Sequence, residues 1–265
     1  MDAATWSEWI AFFRRHTGFN LAYYRTGIVQ RRLQTWMVRK NIPDLTTLMA
    51  RIANHPEWWP DLIAYLTVDV SQFFRNRPVF TFLQEHFLRP WPAGRLCRIL
   101  SLGCGRGQEV YSLALLCTRT LGNVVDWRIV GMDIDPWNLH QAAQGVYTAR
   151  ETAQLSAAEM AAMMIPLPNG TGYRIRAELR DRVDFVRGDL FALPFQPCSA
   201  DLVLCRNVLI FVEPEYHATI LTSIGTIVRP GGWCVLGSVE RIPETVQSIW
   251  QPVSTVHHVY QHVRG

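Results

Sequence analysis

A short apolar run at residues 99–102 breaks into a turn carrying Gly103, Gly105 and Gly107. An apolar helical pattern follows at once, with Val110, Leu113, Leu115 and Leu116. Strand, tight glycine turn and helix start form the part of an α/β layer that presents backbone N–H groups to a nucleotide or adenosyl group. Glycine is suited to the turn because it takes positive φ and lets a ligand approach the backbone. The next apolar strand pattern, residues 129–133, ends in Asp133. That is where such a layer places an acid for a ribose diol. A βα turn without a ligand would show the same glycines, so turn and downstream acid are weighed together.

From residue 98 onward the pattern alternates. Strands are expected at 98–102, 128–132, 183–187, 200–205 and 232–238, with helices at 108–121, 136–145 and 214–228. This order predicts an α/β fold with a mostly parallel sheet. Residues 253–263 read as one last strand. Residues 3–76 carry only helical periods, including Val29, Leu33 and Met37 on one stripe, and residues 80–86 read as a further helix. Between 145 and 183 lies an excursion: a Met-rich helix with a possible Ser156/Glu159 capping box, a Pro/Gly turn at 166–172 and a short strand at 173–176. The expected organisation is a helical domain over 1–76 and an α/β domain over 77–265.

Of the net charge of +4, all falls in residues 1–77, which hold ten basic and six acidic side chains. Arg25, Arg32 and Arg39 recur every seven residues and share one helix stripe. Such a stripe suits an acidic partner surface or an ordinary solvated face; the charge is too modest for a nucleic-acid partner. No apolar run is long enough to span a membrane. The N-terminus lacks the basic and apolar regions of a signal peptide. The six cysteines form no C-x-x-C pair. A cytoplasmic protein without a metal site, and a monomer, is therefore expected; His217 is expected to be solvated.

Three further segments sharpen the picture: Leu66-Thr-Val-Asp-Val-Ser-Gln-Phe-Phe-Arg75; Gly107-Gln-Glu109 followed by Tyr111-Ser112; and Asp201-Leu-Val-Leu-Cys-Arg-Asn-Val-Leu-Ile210 leading to Arg229-Pro-Gly-Gly. With the glycine turn, they resemble the CheR family of chemoreceptor glutamate O-methyltransferases, over nearly the whole chain and in the right order. The resemblance implies a small all-helical domain followed by a Rossmann-like S-adenosylmethionine (AdoMet) methyltransferase domain bearing a small β-subdomain insertion at about 153–186. It implies cofactor-binding roles for Asp69, Ser71, Arg75, Gly103, Gly105, Glu109, Asp133, Asp189, Leu190, Arg206 and Asn207. Asp133 matches the ribose acid, Glu109 the second acid of a Gly-Glu-Glu motif, and Asp189 and Leu190 the adenine end. Arg75 matches the arginine lying across the transfer site, and Arg176 a basic residue of the insertion.

The chain departs from that pattern in four places. Gln108 replaces the first Glu of Gly-Glu-Glu, and Val110 the usual Pro. Phe211 stands where a Tyr is frequent. The segment Pro166-Leu-Pro-Asn-Gly-Thr-Gly172 replaces an Arg-Gly-x-Gly-like loop, which argues against capture of a receptor-tail pentapeptide. The resemblance implies methyl transfer from AdoMet to glutamate carboxylates of a chemoreceptor or chemosensory-like protein, leaving S-adenosylhomocysteine. The Arg25/Arg32/Arg39 stripe would meet that partner. Two other readings stay open: the same fold with another methyl acceptor, and a non-catalytic module that binds AdoMet or S-adenosylhomocysteine.

Overall fold

The computed structural model describes residues 2–67, 71–122, 124–168 and 170–263. One compact unit comprises the described residues of Met1–Asp69 together with Leu209–His217; the other comprises those of Val70–Val208 with Ala218–Gly265.

The first unit contains α1 (Ala3–Thr17), α2 (Thr26–Arg39), α3 (Leu45–Ile52) and α4 (Trp58–Leu66). The Asp2 carboxylate accepts from Thr5 N at 2.9 Å, and Asp44 accepts from Thr47 N at 2.7 Å. Each cap satisfies an N–H that a helix start leaves over. Gly18 ends α1 in the left-handed region, φ 75°. Val29, Leu33 and Met37 are buried, as their spacing predicts, and so are Trp9, Phe13, Trp36, Leu48 and Leu62. The 209–217 segment joins this unit through backbone bonds, Arg25 N to Phe211 O at 2.8 Å and Glu213 N to Tyr23 O at 3.0 Å.

The second unit runs α5 (Arg77–Leu83), β1 (Cys97–Leu102), α6 (Gln108–Leu121), β2 (Trp127–Asp133) and α7 (Pro136–Gln144). The excursion follows as β3 (Val146–Tyr147), α8 (Ala149–Thr152), α9 (Ala157–Met163), β4 (Met164–Pro166), β5 (Tyr173–Ile175) and α10 (Ala177–Arg180). It closes with β6 (Val183–Arg187), β7 (Ala200–Cys205), α11 (His217–Ile227), β8 (Val228–Leu236), β9 (Trp250–Ser254) and β10 (Val259–His262).

The main sheet has the order β6-β2-β1-β7-β8-β10-β9. Its first five strands are parallel, and β10 pairs antiparallel with both β8 and β9. Strands β1 and β7 are buried along nearly their whole length, which is why they read as continuous apolar runs rather than alternating ones. The chain leaves β1 toward β2 on one side and returns at β7 on the other. The crevice outside the carboxyl ends at such a reversal is the ligand position in open α/β sheets. β3, β5 and β4 form a separate antiparallel sheet.

The expected single strand at 253–263 is a hairpin. His258 lies in the left-handed region at φ 54°, and the chain reverses before β10. The helix expected at 80–86 starts earlier and continues from α5 into a π turn, Gln84–Leu88. The small sheet begins at Val146, ahead of the expected insertion, because a two-residue strand leaves no periodic trace. All six cysteines are thiols: Cys97, Cys104, Cys117, Cys205 and Cys234 are buried and Cys198 is exposed.

Candidate functional site

The site grows from the carboxyl ends of β1, β2, β7 and β8. After β1, Gly103, Gly105 and Gly107 all take positive φ, at 70°, 53° and 86°. A Cβ on Gly103 would stand 2.5 Å from Val208 Cγ2, so the loop after β7 packs directly on this turn. At the end of β2, Asp133 is buried. Its Oδ2 accepts from Gly105 N at 2.8 Å and its Oδ1 from Asp135 N at 2.9 Å. The same carboxylate expected to meet a ribose therefore also shapes the turn. Asp135 caps α7, accepting from Trp137 N at 2.8 Å, with Pro136 in the first turn.

Glu109, in the first turn of α6, accepts from Ser101 Oγ at 2.9 Å through Oε1 and from Arg206 Nη1 at 2.8 Å through Oε2. The Arg206 side chain is only 2% exposed and that of Glu109 16%. Arg206 Nη2 also donates to the Arg75 carbonyl at 2.8 Å, and its guanidinium carbon lies 5.6 Å from the Phe80 ring centre. Glu109, Arg206 and the backbone of Arg75 are thus brought together. Phe73 and Phe74 are buried as their pairing suggests, and Phe74 N donates to Ser112 Oγ at 2.9 Å. Arg75 itself is half-buried, in the turn before α5.

Asn207 takes a left-handed φ of 60°. Asp189 and Leu190 follow β6: Asp189 Oδ1 accepts from Phe191 N at 3.0 Å, and Leu190 is buried. Ser71 is half-buried. Asp69 lies outside the described residues. Arg176 is used locally, its Nε donating to Ala161 O at 3.1 Å. Ser156 and Glu159 form the expected capping box on α9. The Arg77 guanidinium clamps Glu159 at 2.6 and 2.9 Å, and this hydrogen-bonded pairing above all holds the Glu159 carboxyl down at about 2.

Several contributors carry no sequence signal of their own. Arg106, within the glycine turn, pairs with Glu151 of α8 and lies 5.7 Å from the Trp137 ring centre. Its carbonyl accepts from Tyr147 Oη at 2.6 Å. Burial pushes that phenol well above its ordinary pKa, so it stays a donor. The Glu240 carboxylate accepts from the backbone of Asn207 and Val208.

In the helical unit, Arg25 and Arg39 are exposed, but Arg32 is not part of an open stripe. Its Nε donates to the Tyr65 carbonyl at 2.7 Å, its Nη2 bonds the same oxygen, and its guanidinium lies over the Tyr65 ring. It caps the last turn of α4. His217 is half-buried rather than fully solvated; its Nε2 donates to Leu209 O at 3.0 Å and Val212 O at 3.1 Å. Phe211 belongs to the 209–217 segment of the same unit. Among the described residues no helix is long and apolar enough to cross a membrane, and no group of His, Cys, Asp or Glu is arranged to hold a metal.

AdoMet fits the residues present. The turn takes positive φ at all three glycines, and two acids and an arginine converge beside it. Two buried polar atoms there, Gln108 Oε1 and Arg206 Nε, have no partner among the described residues, as expected beside a ligand rich in donors and acceptors.

The SAM-binding domain of the CheR methyltransferases matches residues 69–258, and the all-alpha domain of the same enzymes matches residues 4–67. A 104.1 kDa uncharacterized protein from the hypE 3' region of Rhodobacter capsulatus is 30% identical over 253 residues, 92% of this chain. The match spans 26% of that larger protein. Chemotaxis protein methyltransferases of Listeria monocytogenes and Escherichia coli are 29% and 28% identical, covering 86% and 87% of this chain and 87% and 84% of their own. Among solved structures, the [4+2]-cyclase SpnF is 20% identical with a TM-score of 0.38, over 61% of this chain and 43% of that one.

Proposed function

Because this chain belongs to the CheR methyltransferase family, we propose that it methylates glutamate side-chain carboxylates of a chemoreceptor or chemosensory-like protein. The observation that carries the reading is the Glu109–Arg206–Arg75 assembly. A nearly buried arginine, neutralised by Glu109, holds the backbone of Arg75 beside the cofactor turn. That the Listeria and Escherichia relatives are chemotaxis protein methyltransferases supports the chemotaxis assignment.

When bound, AdoMet supplies an electrophilic methyl group on a sulfonium. A glutamate carboxylate is already ionised near pH 7, so no side chain has to remove a proton. The work left to the protein is to orient the carboxylate in line, strip its water and hold one oxygen still. Arg75 is the proposed clamp: its guanidinium can bind one carboxylate oxygen while the other attacks. In this reading Asp133 binds the ribose, the backbone at Gly103 and Gly105 lines the turn, and Asp189 and Leu190 flank the adenine. Asp69, Ser71, Arg206, Asn207 and Glu109 complete the cofactor wall.

Receptor capture would rest on Arg25 and Arg39, with Arg31 beside them, since Arg32 is committed to α4. Phe211, in place of a tyrosine hydroxyl, would slow positioning without removing the reaction. The test is tritium transfer from labelled AdoMet into cognate receptor, with base-labile methanol released. Label appearing instead in a small acid would move the acceptor. Tight S-adenosylhomocysteine binding with no turnover on any receptor would make the protein a cofactor-binding module and overturn the proposal.

A further inference from the structure

The loop that follows β7 is held by a residue far away in the chain. Glu240 is 4% exposed, and its carboxylate lies under the strand ends. Oε2 accepts from Asn207 N at 2.9 Å and also from Gly237 N; Oε1 accepts from Val208 N at 2.8 Å. Two successive backbone N–H groups converging on one anion make a nest. Here the anion is the protein's own side chain.

The arrangement follows from the sheet. β7 and β8 are parallel neighbours, with Cys205 beside Leu236, so their carboxyl ends emerge together. After β8 the chain turns through residues 237–240, closed by Glu240 N donating to Gly237 O at 3.0 Å. That turn swings the Glu240 side chain back toward β7. Glycine is needed at 237: a Cβ there would stand 2.6 Å from Glu240 Oε2 and 2.8 Å from Asn207 N. The nest matters because Asn207 has a left-handed φ of 60°, a conformation a side-chain-bearing residue keeps only when its surroundings impose it.

What hangs on this loop is the wall of the cofactor site. Arg206, one residue before the nest, reaches both Glu109 and the Arg75 carbonyl at 2.8 Å. Val208, one residue after Asn207, presses on the Gly103 turn. We propose that Glu240 is a positioning residue of the cofactor site, its carboxylate fixing Arg206–Val208 so that Arg206 meets Glu109 and Arg75. The inference rests on the reading that Arg206 and Asn207 line the cofactor. It does not depend on which acceptor is methylated.

The experiment measures S-adenosylhomocysteine affinity by calorimetry on the full chain, so receptor identity does not enter. Glu240→Gln replaces one accepting oxygen with an amide that faces N–H donors. Affinity is expected to fall about tenfold or more, the ratio for one lost charge-assisted bond. Glu240→Asp keeps the charge and should recover part of that loss. Combined with Arg206→Met, Glu240→Gln should cost little more than Arg206→Met alone. Combined with Asp189→Asn, its effect should add in full, because Asp189 follows β6, three strands away from β7, and shares no partner with the Glu240 loop. Should Glu240→Gln fail to fold, Glu240→Asp carries the test alone, with weakened affinity at a melting temperature near that of the parent. Affinity within twofold in every folded Glu240 variant, with Arg206→Met clearly weakened, would reduce Glu240 to a latch for the β8 turn. Full additivity with Arg206→Met would overturn the proposal too. An unchanged affinity in Arg206→Met itself would instead sink the premise that this loop lines the cofactor.

Discussion

Glu109→Ala tests the assembly beside the glycine turn most directly. The substitution leaves the Arg206 guanidinium, 2% exposed, without its anion, and removes the acceptor for Ser101 Oγ. Breaking a buried pair from one side costs about 3–5 kcal/mol, because the remaining charge stays desolvated. Two features move this case to the lower end. Arg206 keeps its bond to the Arg75 carbonyl and its place over Phe80, and Glu109 at 16% exposure leaves a path for water. The expected loss is about 3 kcal/mol, which lowers the melting temperature by roughly 6–12 °C in a unit of this size. Urea unfolding at pH 7, followed by tryptophan fluorescence and circular dichroism, measures it, with an unchanged m-value required for comparison. The reciprocal design removes both charges: Glu109→Leu with Arg206→Met should lie within about 1 kcal/mol of the parent, since an apolar pair can replace an ion pair at little net cost. A Glu109→Ala loss below about 1 kcal/mol, or a double variant as unstable as the single, would refute the picture of a desolvated charge held by its partner.

Asp133→Ala should weaken S-adenosylhomocysteine binding by about 1.5–3 kcal/mol, the range for a hydrogen bond to a charged group, with the loss read by calorimetry. Unchanged affinity would remove Asp133 from the ribose. Arg75→Ala should lower the transfer rate more than the cofactor affinity, and turnover within about twofold of the parent would exclude it as the clamp. The Glu159 carboxyl, held at about 2 by Arg77, adds stability above the unfolded carboxylate value, and that stability is lost as pH falls toward 2. Arg77→Ala should therefore raise the midpoint pH of acid unfolding; an unmoved midpoint would show the pair to be inert. If Arg25 and Arg39 meet an acidic receptor, converting both to Glu should raise the receptor KM, and added salt should raise KM in the parent, with AdoMet binding unaffected by either. A salt-insensitive KM would leave them as solvated side chains.

The parallel strands could be read from the chain because burial on both faces demands uninterrupted apolar runs, and the glycine turn because its φ angles admit little else. The beginning of β8 was less legible. Pro230-Gly231-Gly232 reads as a turn ahead of a strand at 232, yet β8 starts at Val228, and its pairing with β7 shifts between Ala200 and Leu202 to absorb the irregularity. Arg32 shows the opposite limit. Its spacing places it with Arg25 and Arg39, but helical period reports only the face of α2, and the Tyr65 carbonyl that claims the side chain comes from α4. His217 looked like a surface residue for the same reason: its two carbonyl partners lie in a turn just upstream. Glu240 lay beyond sequence reading altogether, because its role exists only once β7 and β8 are neighbours.

The distribution of the six thiols makes the chain its own unfolding reporter. Cys198 is exposed, whereas Cys97, Cys117, Cys205 and Cys234 sit in the sheet and its covering helix, where burial drives their pKa values up and keeps them as unreactive thiols. An alkylating reagent should label Cys198 promptly and these four only as the α/β layer opens, so mass spectra over time would count molecules that have visited the open state. Cys104 lies apart from both groups, buried at 2% inside the glycine turn. Its labelling, slowed or not by added S-adenosylhomocysteine, would time the breathing of that turn while the rest of the layer stays closed.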